Sequence, residues 1–272
     1  MVAGALGACS VKLEPQDPGG NRTPPEGAEP STAPASLCVE RKLVLENAAG
    51  ERAESDFRRS GSWGGGLALE GADGSFVKTG TAGVLSDGAT EYGPALFRAS
   101  FGGAPPALYC ANATSAVTSD GESTYRVSLR GASPLVDCEA GAPVEGSITI
   151  CQSREGKLCP KSELSGTVDG QAITSSSSGY NQSGSTFSPH LEEAGIVEVE
   201  LDGEAVKGAM VFLEKAPGAS VLCATGGVVA QQGEGLRKEY RIELTGLRRL
   251  GACPLPAPAD ATTVEGCSGS WR

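Results

Sequence analysis

The sequence predicts an all-β fold in which two tandem, duplicated, disulfide-bonded β-sandwich-like domains follow a disordered N-terminal tether. Three observations support this prediction: apolar residues alternate with polar ones, Asp-Gly pairs separate the alternating runs, and two quartets of cysteines share a spacing. A length of 272 residues suits two domains of ordinary size.

The alternation is clearest around two tyrosines. Tyr125, Val127 and Leu129 place apolar side chains at every second position, and residues 240–244 (YRIEL) repeat the pattern. A period of two with one polar face is typical of an antiparallel sheet that covers a core on one side. Asp-Gly pairs, which supply the positive φ angles of tight hairpins, predict turns between such runs. They lie at positions 73–74, 87–88, 120–121, 169–170 and 202–203.

Eight of the nine cysteines form two sets with similar spacing. The first set is Cys38, Cys110, Cys138 and Cys151, and the second is Cys159, Cys223, Cys253 and Cys267. Successive separations are 72, 28 and 13 residues in the first set and 64, 30 and 14 in the second. Residues 125–131 (YRVSLRG) also match residues 240–246 (YRIELTG). These repeats predict a tandem duplication, with one copy over residues 38–151 and the other over residues 159–267.

An even number of cysteines in widely spaced positions predicts disulfides and an oxidising compartment. Four cysteines in a copy allow three pairings. We expect the first to pair with the second and the third with the fourth, because separations of 13 and 14 residues close easily. The alternative pairs the second with the third and ties together the strands on either side of the tyrosine motif.

Residues 10–37 predict the tether. They are rich in Pro, Gly, Ser and Thr and contain few bulky apolar residues. Such a segment cannot bury enough apolar surface to offset the entropy cost of ordering it.

The residues before this segment are Leu6-Gly7-Ala8-Cys9. They resemble the lipobox of bacterial lipoproteins, in which the cysteine is diacylated and becomes the new N-terminus after cleavage. The resemblance implies that residues 1–9 are the remnant of a lipoprotein signal, that the leader begins upstream of Met1, and that Cys9 carries the lipid. It also implies a place in the bacterial cell envelope, anchored to the outer membrane and facing the periplasm or the exterior. An anchor at Cys9 accounts for the odd ninth cysteine.

The composition excludes some classes of function. The net charge is −11, which argues against a nucleic-acid partner because phosphate binding needs a basic surface. The spacing of His, Cys, Asp and Glu matches no metal-binding motif, so we expect no metal and no cofactor. We also expect no catalytic site, because His190 is the only histidine and no Gly-x-Ser-x-Gly elbow accompanies it.

The expected role is therefore binding, adhesion or structure at the envelope, with an envelope protein or a polysaccharide as the partner. Three residues are candidates for ligand contact: Trp63 among glycines, and Tyr180 with Asn181 in the serine-rich segment 174–188, which we expect to be a loop. The alternative function is a secreted hydrolase or inhibitor, with a site near His190 that uses Ser188 and Glu192.

Overall fold

The computed structural model describes residues 35–63, 66–80, 90–119, 123–191, 195–213, 220–253, 257 and 260–270. In this part of the chain the alternating segments form seventeen strands, joined by turns and three short 3₁₀ segments, without an α-helix. The all-β prediction is confirmed. The Asp-Gly pairs at 73–74 and 169–170 lie between strands and the pair at 202–203 lies at the end of one, with positive φ at each of the three glycines. The other two predicted Asp-Gly turns lie outside the described residues.

Eight strands form a closed antiparallel barrel, here called the first barrel. Its strands, in the order in which they follow one another around the barrel, are β1 (Lys42–Glu46), β2 (Arg52–Trp63), β3 (Gly66–Gly71), β4 (Phe76–Thr79), β5 (Thr90–Ala99), β6 (Ala107–Ser119), β7 (Ser123–Pro134) and β17 (Thr263–Ser270). The last strand pairs with β7 on one side and with β1 on the other. Apolar side chains such as Leu69, Phe97 and Leu129 fill the interior. This filling is expected of eight strands, which enclose little more than their own side chains.

The remaining nine strands form a second sheet. They are β8 (Ala142–Pro143), β9 (Gly146–Gln152), β10 (Glu163–Val168), β11 (Gln171–Ser183), β12 (Thr186–Leu191), β13 (Gly195–Asp202), β14 (Ala205–Leu213), β15 (Ser220–Gln232) and β16 (Glu239–Ala252). β16 pairs with β15 along one side and with β9 along the other, so strands β9 to β16 also close into a ring. We call this ring the second barrel. Its core includes Phe187, Tyr240 and Ile242, all essentially inaccessible to solvent.

The closed sheets differ from the predicted sandwiches. Alternation along a strand reports only that one face is buried, and a barrel interior and a sandwich core satisfy it equally. Closure depends on which strands meet at the two edges, and a local pattern carries no information about that.

A third apolar cluster joins the two barrels. Leu96 and Leu108 of the first barrel and Phe212 and Val221 of the second belong to it, together with Leu250. All five side chains are buried. The cluster surrounds two disulfides, so the barrels are packed and cross-linked to each other.

All eight predicted disulfide cysteines are paired, but the expected pairing within each set is wrong. The bonds join Cys38 to Cys267, Cys110 to Cys253, Cys138 to Cys223, and Cys151 to Cys159. Every bond links a cysteine of the first set to one of the second. Short separation along the chain did not decide the pairing, because the sheet topology brings distant segments together.

The sheets also divide the chain at other points than the predicted copies 38–151 and 159–267. β9 lies inside the first copy by sequence and pairs within the second barrel, whereas β17 lies inside the second copy and pairs within the first. The end of the predicted disordered tether is ordered: residues Ala35–Leu37 form a 3₁₀ turn, and Leu37 is fully buried against Val44 and Cys267. Cys9 and the rest of the tether lie outside the described residues. Among the residues described, none belongs to a helix that could span a membrane.

Candidate functional site

A narrow cleft with about 70 Å³ of space inside it lies between the two barrels and opens to solvent. The first barrel contributes residues of β3 and β4, and the second contributes residues of β11, β12 and β13. Hydroxyl and charged side chains make up most of its polar lining: Glu70, Lys78, Thr79, Ser183, Thr186, Ser188, His190 and Glu198.

A partly buried cation, Lys78, lines the cleft. Lys78 alternates with inward-facing neighbours on β4, so its side chain leaves the first barrel and reaches the second. Its ammonium group bonds to Glu198 of β13 and lies 3.8 Å from Glu70. The side chains of the three residues are only 15–25% exposed. One cation between two carboxylates gives this part of the cleft a net negative charge. Removal of either partner of a shielded ion pair is destabilising, because it leaves the other charge without compensation.

His190 lines the same cleft from β12. It lies on this strand and is half-buried. Burial lowers the pKa of its imidazole, which is therefore neutral at pH 7. The side-chain nitrogen of Asn181, on the neighbouring β11, lies 2.7 Å from Nε2. An amide N–H donating here makes Nε2 the acceptor and leaves the ring proton on Nδ1.

The serine-rich segment 174–188 forms β11 and β12 with a turn between them, where the sequence predicted a loop. Ser175 and Ser177 alternate with exposed residues along β11 and are buried on the same face as Ile173. Tyr180 is half-buried: its ring lies 5.0 Å from Phe187 and 5.2 Å from Tyr240, and its hydroxyl donates to the Lys238 carbonyl at 3.3 Å. Tyr180 therefore packs against the core of the second barrel.

The structure thus brings Ser188 and His190 to one cleft, places Asn181 beside His190, and places Tyr180 at a core. Trp63 ends β2, where it pairs with Gly66, and its side chain lies outside the described residues, as does all of Glu192. Within the described residues, no group of three or more His, Cys, Asp or Glu side chains is arranged to hold a metal ion.

Sequence reasoning missed a second polar site at Glu239. This carboxylate is 1% exposed and accepts backbone N–H bonds from Arg154, Glu155, Lys157 and Leu158 at 2.5–3.0 Å. The hydroxyl of Ser153 donates a further bond. These donors lower the pKa of Glu239 to about 2. Its position directly before the tyrosine motif was visible in the sequence, but nothing there indicated that residues 153–158 would fold around it.

Comparison with known protein families, curated proteins and solved structures finds no match to this chain.

Proposed function

We propose that this protein is a lipid-anchored, non-catalytic component of a bacterial cell envelope that presents two linked barrels for binding. The observation that carries the proposal is the pairing of the cysteines. Eight of nine form four disulfides with one another, so Cys9 has no cysteine of its own chain to pair with. It is also the cysteine of the Leu6-Gly7-Ala8-Cys9 segment, which gives it a different chemical role.

The disulfides support an envelope location as well. Four bonds in a chain of this size are typical of proteins that fold in an oxidising compartment such as the periplasm. An acyl chain at Cys9 followed by a polar tether would hold the barrels away from the membrane without a spanning segment.

Acylation of Cys9 is testable in the bacterial host. We expect the wild-type protein to incorporate a labelled fatty acid and to fractionate with membranes, and a Cys9→Ser variant to lose both properties. A Ser10→Ala variant, which changes the neighbouring residue and keeps the cysteine, should behave as the wild type. An unlabelled wild-type protein would overturn the anchor.

The surroundings of His190 support the non-catalytic proposal. In a Ser-His-Asp triad a carboxylate orients the imidazole and stabilises its charged form. Among the described residues the side-chain partner of His190 is the neutral amide of Asn181, and burial lowers the pKa of the imidazole. A hydrolytic activity that disappears in a His190→Ala variant would favour the hydrolase alternative over this proposal.

The cleft between the barrels is the proposed binding site. Its hydroxyls, carboxylates and neutral imidazole suit an uncharged ligand rich in hydroxyl groups, such as an envelope polysaccharide, better than an anion. We expect the purified protein to be retained on insoluble envelope polysaccharide. A Ser188→Phe variant fills the cleft and should elute earlier. Ser178→Phe places the same ring at an exposed position of β11 outside the cleft lining and serves as the control.

We further propose that the two barrels arose by the tandem duplication that the sequence predicts. The strand registers support it. Leu96 lies opposite Cys110 in the first barrel, and Met210 lies opposite Cys223 in the second. In both cases the preceding alanine lies opposite the alanine that follows the cysteine, so β5 and β6 correspond residue by residue to β14 and β15 around the cysteine.

A further inference from the structure

We propose that the two copies exchange their last strands, so that each barrel is closed by a strand of the other copy. The proposal rests on the duplication proposed above. In chain order, the first copy runs from β1 through β7 to β9, and the second runs from β10 through β16 to β17. Yet β9 pairs with β10 and β16, and β17 pairs with β1 and β7.

The exchanged strands occupy equivalent places. Arg126 and Arg241 hold the same position in the two tyrosine motifs. Cys267 of β17 lies opposite Arg126, and Cys151 of β9 lies opposite Arg241. Each motif strand therefore pairs, at the same register, with the cysteine-bearing last strand of the other copy.

The disulfides follow the same symmetry. Cys38 is the first cysteine of its copy and bonds to the fourth of the other, Cys267; Cys159 and Cys151 form the reciprocal bond. The second cysteine of each copy likewise bonds to the third of the other, in the bonds Cys110–Cys253 and Cys138–Cys223. Four bonds thus reduce to two kinds, each present twice.

The cluster between the barrels is built from equivalent residues as well. Leu96 and Met210, Leu108 and Val221, and Leu135 and Leu250 are corresponding pairs, and all six pack in it. An interface in which both partners use the same patch is the hallmark of a two-fold arrangement.

A contact at the centre of the interface identifies the two-fold axis. Lys78 lies opposite Leu96, and Glu198 lies opposite Met210, so these two side chains also correspond. They bond directly to each other across the barrels. A residue can touch its own counterpart only close to the axis.

Two disulfides hold the exchange in place. Cys138 follows β7 and bonds to Cys223 of β15 in the second barrel, and Cys253 follows β16 and bonds to Cys110 of β6 in the first. All four cysteines belong to the shared cluster or pack against it. In this arrangement neither copy closes its own barrel, and the two copies fold as one body, as in a domain-swapped dimer whose subunits have been joined in one chain.

A cut between the copies tests the exchange in the full-length chain. A site for a specific protease is inserted between Gly156 and Lys157, two exposed residues of the turn that joins β9 to β10. All four disulfides span this point, so the cleaved protein should run as one species on an unreduced denaturing gel. After reduction under native conditions the halves should still elute together, because each holds a strand of the other.

Copies that close on themselves predict the opposite result. Their disulfides would lie within each half, and the cleaved chain would separate into two bands without reduction, which would overturn the proposal. Separation after native reduction would overturn the claim that exchanged strands join the halves. A cut in the turn at residues 47–50 is the matched control. The disulfide of Cys38 attaches the N-terminal fragment to the rest of the chain whichever cysteine is its partner, so this cut should give one band without reduction under either arrangement. Peptide mapping of the unreduced protein without the inserted protease site is a second test. Disulfides within either cysteine set would refute the exchange. None of these results depends on acylation of Cys9.

Discussion

Replacement of Phe212 with alanine measures how strongly the shared cluster holds the two barrels together. The ring lies on β14, is fully buried, and packs between the barrels. A buried aromatic side chain removes about 150–250 Å² from water. At about 25 cal/mol per Å², this burial is worth about 4–6 kcal/mol.

Core Phe→Ala substitutions cost about 3–5 kcal/mol, in agreement with this figure. We therefore expect the free energy of unfolding to fall by about 4 kcal/mol, a large part of the roughly 5–15 kcal/mol that holds a domain folded. Urea unfolding followed by circular dichroism is the assay, and the midpoint should fall while the slope stays unchanged.

The control is Val228→Ala on the neighbouring strand β15. This side chain is 58% exposed, and its loss should change stability by no more than about 0.5 kcal/mol. A Phe212→Ala variant whose stability lies within about 1 kcal/mol of the wild type would refute the assignment of Phe212 to a tightly packed interface.

Three further predictions concern protonation and close packing. Glu239→Gln should speed hydrogen exchange at the amides of residues 154–158 near neutral pH. In the wild type the pKa of Glu239 is lowered from 4.5 to about 2. The contribution of the ionised carboxylate to stability is therefore complete above pH 4.5 and should be lost as the pH falls towards 2. Protection of these amides from exchange that is unchanged across this pH range would contradict the role of the carboxylate. The pKa of His190, read from the single histidine signal in an NMR titration, should lie below 6.5. Burial of the neutral imidazole should therefore stabilise the fold less as the pH falls from 6.5 through the lowered pKa. A His190→Asn variant should lack this pH dependence. Gly166→Ala should lower the thermal midpoint of unfolding, because the new Cβ would lie 2.1 Å from the Ser147 carbonyl oxygen. The control, Gly208→Ala, places its Cβ 3.9 Å from the nearest atom and should leave the midpoint nearly unchanged. Equal midpoints for the two variants would contradict the close packing of Gly166 against β9.

The elements of this fold could be predicted from the sequence where their cause is local. The alternation at Tyr125, Val127 and Leu129 reflects one buried face, and these side chains do pack inside the first barrel. The turn at Asp169-Gly170 was predictable because two residues with positive φ are what a two-residue hairpin needs.

The serine-rich strand β11 shows where local reasoning fails. Its composition is typical of a solvated loop, and propensity alone favours that interpretation. Ser175 and Ser177 are nonetheless buried, and the Ser177 hydroxyl has the Gly179 and His190 carbonyl oxygens within hydrogen-bond distance as acceptors. Small side chains suit this part of the sheet because they are packed against neighbouring backbone, and the neighbours are known only from the tertiary structure.

The cleft could not be predicted because its charged residues come from distant segments. Lys78 and Glu198 are 120 residues apart in the chain, and each belongs to a strand that reads as ordinary alternation. The predicted disulfide pairing was wrong for the same reason, since Cys38 and its partner Cys267 are 229 residues apart in the chain. A pairing rule based on loop-closure entropy favours near neighbours and ignores the sheet that holds the partners in place.

The position of the Cys38–Cys267 bond links the fold to the proposed anchor. It joins the first cysteine after the tether to the last strand, and so closes the two ends of the described chain on each other. A load applied through a tether on Cys9 would enter at Cys38 and pass to β17, which is paired on both sides by β1 and β7. Because the bond fixes the chain before β1 to β17, such a load would reach two strands that are each hydrogen-bonded on both sides. The equivalent bond of the second barrel, Cys151–Cys159, joins residues only eight positions apart. Of these two equivalent disulfides, Cys38–Cys267 is therefore the one that holds the ends of the described chain together, and it is also the one nearest the proposed membrane attachment.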